Sequence, residues 1–71
     1  MDTKQEAKVL SEREVEVLLL SAEGHSLKQI AEMLSISIDT VDTHSRNVVG
    51  KLCARNMKHA IATALRNKLI D

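Results

Sequence analysis

At 71 residues the chain is long enough for one small domain and too short for two cores. It has no aromatic residue and no proline, so the 44 % that is apolar must build a core from Leu, Ile, Val, Ala and Met. The missing aromatics argue against modules that stack bases on rings, such as RNA-recognition motifs and OB-fold strand binders.

The ten basic and ten acidic residues cancel, but unevenly along the chain. Residues 1–39 hold four basic and eight acidic side chains, and residues 40–71 hold six and two. Cys53 is alone, so no internal disulfide can form, and the composition suits a reducing, cytoplasmic setting. The longest apolar run, Val17–Leu20, is far too short to span a membrane, and the N-terminus lacks the pattern of a signal peptide.

Residues 1–9 are polar and charged and read as a flexible lead-in or a linker remnant, with residues 10–71 forming the domain. Leu10 then stands in the staple position before Ser11-Glu12-Arg13-Glu14, a capping box. A first helix is predicted over about residues 12–23, stopped by Gly24 in a left-handed cap. Val17, Leu18 and Ser21 define a core side, while Val15 and Leu19 form a separate i, i+4 pair. That pair fits either a different part of the same core or an exposed contact for another domain or subunit.

Ser26-Leu27-Lys28-Gln29 is a second capping box and opens a short helix over residues 27–34, with Ile30, Ala31 and Leu34 as its buried stripe. Ser35-Ile36-Ser37 is a tight polar connection with one apolar anchor. A third helix is expected over residues 38–53. On its wheel Ile38, Val41, Ser45, Val48, Val49 and Leu52 share one arc, and Asp39, Thr43, Arg46, Asn47 and Gly50 the opposite one. Asn56 is a plausible N-cap for a fourth helix over residues 57–67, with Met57, Ile61, Ala64 and Leu65 pointing inward. Ala60, Thr63 and Asn67 form a strip of small residues beside that stripe, wide enough for another helix to approach. Leu69 and Ile70 are candidate packing residues.

Two short helices joined by about three residues, the second with a polar outer face, form the helix-turn-helix pattern of an all-α domain. The outer arc of the third helix holds short hydrogen-bonding side chains and one arginine. Bulky side chains there would hold a helix out of the major groove, so this surface suits contact with base edges.

The run LSEREVEVLLLSAEG…IAEMLSISIDTVDTHSRNVVGKLCARNMKHAI resembles the LuxR/GerE-type DNA-binding domain of bacterial transcription regulators. The matching positions are Leu10, Arg13-Glu14, Val17-Leu18, Ala22, Gly24, Ile30-Ala31, Leu34, Ile36-Ser37, Thr40-Val41, His44, Asn47, Lys51-Leu52, Asn56 and Ala60. The resemblance implies a four-helix domain that binds double-stranded DNA as a homodimer. It places the third helix in the major groove and the fourth, through Ala60, Thr63, Ala64 and Asn67, at the dimer contact. It also implies an upstream receiver or ligand-binding domain in many relatives, as in response regulators, and RNA polymerase as a further partner.

By the same resemblance the base-reading positions are Asp42, Thr43 and Arg46. Arg46 can pair with a guanine, and Thr43 can touch a thymine methyl or donate a hydrogen bond. Asp42 departs from the basic residue often found there; it can accept from a cytosine or orient Arg46 four residues on. Phosphate contacts are expected from helix N-termini, at Ser26, Lys28, Ser37 and Thr40, and then from Asn47, Lys51, Arg55 and Lys58. Ser45, Gly50 and Cys53 also depart from the family pattern. Gly50 costs roughly 1 kcal/mol of helix propensity, and Cys53 takes the usual glycine position at the helix end.

The nearest alternative is region 4 of a sigma factor, which shares the first three helices but has no need of a fourth amphipathic one. A protein-interaction module that has lost DNA binding is the other. His25, His44, Cys53 and His59 lack zinc-ligand spacing, no nucleophile–base pair or phosphate-cradling glycine loop is present, and neither an enzyme nor a cofactor is expected. His44 reads as a packing or backbone-contacting residue.

Overall fold

The computed structural model describes residues 10–68, which form four helices: α1 (Glu12–Ala22), α2 (Leu27–Leu34), α3 (Ile38–Lys51) and α4 (Met57–Arg66). Residues 1–9, and with them the expected lead-in, lie outside the described residues, as do Leu69 and Ile70.

Each helix starts at the residue whose side chain can satisfy its free N–H groups. Ser11 Oγ accepts from Glu14 N while Glu14 Oε1 accepts from Ser11 N, a complete capping box. Ser26 and Gln29 repeat the arrangement at α2. Ser37 Oγ accepts from Thr40 N at α3, and Asn56 Oδ1 from His59 N at α4.

The span expected for α2 matches the observed one, and the helix ends explain why the other three ran a residue or two long. After α1, Gly24 sits at φ +97°, with Gly24 N donating to Ser21 O and His25 N to Leu20 O. These are the paired bonds of a Schellman closure. Ser35 closes α2 in the same way at φ 59°, and Cys53 closes α3 at φ 55°, with Ala54 N donating to Val49 O. Side chains with a Cβ are strained in this left-handed region, so α2 and α3 end at some local cost.

Two joined clusters make the core. Leu10, Leu18, Val48, Ala60 and Ala64 form one, between α1, α3 and α4. Val17, Ile30, Ala31 and Val41 form the other, between α1, α2 and α3. Neighbouring residues Val17 and Leu18 therefore face different clusters, and the partly buried Met57 packs against both. Val15 and Leu19 pack against the first cluster, so of the two readings of that pair it is the shared core that holds.

Two inward expectations are corrected. Ile38 is 46 % exposed: as the first residue of α3 it has no preceding turn to pack over. Leu65 is 49 % exposed, because the buried stripe of α4 is Met57, Ala60, Ile61 and Ala64. With 3.6 residues per turn, Leu65 falls roughly 90° from the middle of that arc. Ala60 and Ala64 are wholly buried, and their small side chains let α4 lie close against the protein's own α1 and α3. The strip that looked open to a second copy is in part occupied from within.

Candidate nucleic-acid interface

The outer side of α3 is set by what the inner side buries. Val41 and Val48, seven residues apart, are fully enclosed, which turns Asp39, Thr43, Arg46, Asn47 and Gly50 outward; all five are exposed. Arg46 lies at the middle of this surface with 78 % of its side chain exposed. Its Nη2 is 3.0 Å from Asp42 Oδ2, the i, i+4 pair that Asp42 was expected to form. Such an exposed pair adds only about 0.3–0.5 kcal/mol to stability, so its main effect is to restrict where the guanidinium points.

Thr43 has less freedom than its sequence suggested. Its Oγ1 donates to Asp39 O at 3.0 Å, back-bonding to its own helix. What it presents outward is a methyl group and an acceptor oxygen, which narrows the two expected contacts to the apolar one. Ser37 Oγ and Thr40 Oγ1 are 2.8 Å apart and share one proton, so whichever accepts keeps its own O–H for an outside acceptor. Ser26 holds its oxygen against Gln29 N and likewise has its hydroxyl proton available. Lys28, Asn47, Arg55 and Lys58 are exposed, and none of the three cationic ends is ion-paired among the described residues.

Lys51 differs from these. Its Nζ lies 2.8 Å from Glu14 Oε1, the oxygen that also accepts from Ser11 N. The Glu14 side chain is only 6 % exposed and that of Lys51 37 %. Burial pushes the Glu14 carboxyl up, but the bond from Lys51, the Ser11 N–H and the electrostatic influence of Lys51 and His44 outweigh it and hold it below its ordinary value. Lys51 therefore ties the end of α3 to the start of α1, and the phosphate contact expected of it would draw on an ammonium already engaged by Glu14. In the sequence Glu14 is legible as half of a capping box and as one of the positions of the resemblance, but its ion-pair partner is 37 residues away, and no local signal marks it.

His44 is half-buried, and its Nδ1 has no hydrogen-bond partner among the described residues, as is also true of Ser45 Oγ. The packing reading of His44 fits this better than a backbone contact through Nδ1. His59 does bond the backbone, its Nδ1 accepting from Arg55 N at 3.0 Å. Among the described residues no group of His, Cys, Asp and Glu is arranged to hold a metal, and no helix is long and apolar enough to cross a membrane.

A polar-faced third helix held by two capped helices and backed by a fourth is the geometry expected of the helix-turn-helix, and comparison with known families bears on it directly. The family model GerE, "Bacterial regulatory proteins, luxR family", matches residues 8–64. The chain belongs to the luxR family. Luxr-family domains of this type are DNA-binding modules of transcription regulators, and the four helices are their all-α helix-turn-helix unit. Of the two resemblances weighed from sequence, the match supports this one over the sigma factor.

Individual relatives agree. The chain is 38 % identical over 71 residues to the oxygen regulatory protein NreC of Staphylococcus haemolyticus (strain JCSC1435), covering 100 % of this chain and 33 % of that protein. To NreC of Staphylococcus carnosus (strain TM300) it is 38 % identical over 69 residues, 97 % of this chain and 32 % of the relative. To NreC of Staphylococcus aureus (strain MRSA252) the identity is 37 % over 70 residues, 99 % and 32 % respectively. This luxR-family chain thus spans about a third of the length of the curated relatives it matches.

Proposed function

We propose that this luxR-family domain binds double-stranded DNA sequence-specifically, with α3 in the major groove, as the output module of a bacterial transcription regulator. The observation that carries the reading is the exposed, short-chained outer side of α3 with one arginine at its centre, already aimed by Asp42. Arg46 pairs with a guanine, a contact of about 1–3 kcal/mol of discrimination, and the Thr43 methyl meets a thymine. Asp42 aims Arg46 and offsets its charge; a carboxylate placed near phosphates lowers affinity for all DNA alike.

Ser26, Lys28, Ser37, Thr40, Asn47, Arg55 and Lys58 contact phosphates, the first four at the N-terminal ends of α2 and α3, where free N–H groups favour an anion. The domain pairs as a homodimer on DNA through the flank of α4 that carries half-buried Thr63 and exposed Asn67, since Ala60 and Ala64 are enclosed in the core. The remaining two thirds of a relative's length supports an upstream receiver or ligand-binding domain, with RNA polymerase as the partner in transcription.

The test is binding of a selected operator and of unrelated duplexes over a salt series. Affinity falls steeply with salt; Arg46→Ala relaxes the preference at one base pair, and Lys28→Ala weakens all sequences alike with a smaller salt slope. Absence of binding at low salt leaves the interaction-module reading instead. If the two variants behave alike, the division between base and phosphate contacts is wrong.

A further inference from the structure

Two surface patches lie away from the outer arc of α3, and of their residues only Lys58 also figures in the DNA reading, as a phosphate contact. Between the second half of α1 and the end of α2 runs a groove of about 320 Å³. Leu19, Leu20, Met33 and Leu34 line it, and Glu16 and Glu23 stand at its edge; Met33 is 53 % exposed. On α4, Lys58, Ala62 and Leu65 follow one another at i, i+4 and i+7, all exposed, with Arg66 beside them. Leu65 there is a large apolar side chain with basic neighbours. The groove is its opposite in both shape and charge.

We propose that these patches form a heterologous contact between copies of this chain, Leu65 of one molecule seating in the α1–α2 groove of the next. Charge decides the occupant and the arrangement. Groove against groove would set carboxylate on carboxylate, and α4 patch against α4 patch would set ammonium on guanidinium, so neither patch is self-complementary. Groove against α4 patch pairs Glu16 and Glu23 with Lys58 and Arg66 around an apolar centre. The rim carboxylates are engaged only locally and on the surface, Glu16 with Arg13 at 3.3 Å and Glu23 with His25 at 3.5 Å, and such pairs exchange at little cost. The uneven charge of the two halves of the chain is what makes one copy attractive to the next.

The patches are small beside the roughly 800 Å² per partner of a stable interface, so the contact is weak by itself and acts where copies are already neighbours. It uses the flank of α4 opposite Thr63 and Asn67, does not depend on the DNA reading, and by joining unlike patches it gives an open row of molecules and not a closed pair.

Sedimentation of the 71-residue chain without DNA, over rising concentration at low salt, tests this. The expected result is a mean mass that climbs with concentration past the dimer, and association that weakens several-fold as salt is raised. The double variants Glu16→Lys/Glu23→Lys and Lys58→Glu/Arg66→Glu each weaken it by about tenfold or more, and an equimolar mixture of the two regains it. Leu65→Ala, at a side chain 49 % exposed and outside both core clusters, weakens it as well. A chain that stays monomeric, association that stops at two copies, association indifferent to the charge swaps, or a mixture that does not recover would each overturn the proposal.

Discussion

Replacing Glu14 tests the link between α1 and α3 more sharply than any change in the apolar core. Glu14 Oε1 accepts two hydrogen bonds, from Ser11 N at 2.9 Å and from Lys51 Nζ at 2.8 Å, in a nearly enclosed site. Glu14→Ala removes both. Loss of the cap partner costs about 1 kcal/mol and loss of a charge-assisted bond about 1.5–3 kcal/mol. Lys51 is exposed enough to turn toward water, which favours the lower end and a total of about 2–3 kcal/mol. For a domain of this size that corresponds to a fall of about 10–20 °C in melting temperature. Glu14→Gln keeps an oxygen for Ser11 N–H and loses only the charge, at about 1 kcal/mol.

The pH dependence separates charge from packing. Because the Glu14 carboxyl lies below its ordinary value, its contribution is present above the ordinary carboxylate range and is lost as pH falls through the lowered value. Thermal or urea unfolding followed by circular dichroism, from neutral pH into strong acid, should show wild type and Glu14→Gln converging at the acid end. In Lys51→Met the burial that raises this carboxyl meets less opposition, so its pKa moves up from the wild-type position. A constant gap between wild type and Glu14→Gln at every pH would refute the reasoning, as would a Glu14→Ala domain as stable as wild type.

Four further substitutions have expected outcomes. Gly50→Ala should raise stability by about 1 kcal/mol with sequence preference unchanged, since a Cβ there meets nothing within 4 Å; denaturant midpoints and a binding assay check the two halves. Cys53→Gly should stabilise by about 1 kcal/mol in the same unfolding measurement, and Gly24→Ala destabilise by a similar amount, because both residues hold positive φ. Asp42→Ala should change stability by less than about 0.5 kcal/mol. In competition binding it should raise affinity for unrelated DNA while narrowing the gap to the operator, since Arg46 loses its guide along with a repelling carboxylate.

How much of this was legible in sequence depended on how local the cause was. Ser11, Ser26, Ser37 and Asn56 act on N–H groups three residues away, and all four starts were readable. The Asp42–Arg46 pair lies within one turn and a bit of helix, and it too was readable. Periodicity gives the direction of a buried arc but not its width, which is why Leu65 and Ala60 exchanged places. An alanine scores weakly on any apolar pattern, yet here close approach of helices makes it the more deeply buried of the two. Ile38 shows the same limit at a helix end, where the wheel assumes a neighbour that the fold does not supply. The Glu14–Lys51 tie crosses 37 residues and depends on tertiary packing, so nothing near either residue announces it. Of the candidate site, the exposed arc of α3 was visible beforehand, whereas the back-bonding of Thr43 and the capture of Lys51 were not.

The two core clusters share α1 through the adjacent pair Val17 and Leu18, and Met57, the first residue of α4, touches both. No helix can shift without disturbing an interior that the others also depend on. A body built this way offers a regulatory signal no internal hinge to turn. On the proposed reading, in which the outer arc of α3 meets DNA, a signal acts on such a body from outside, by covering that arc or uncovering it.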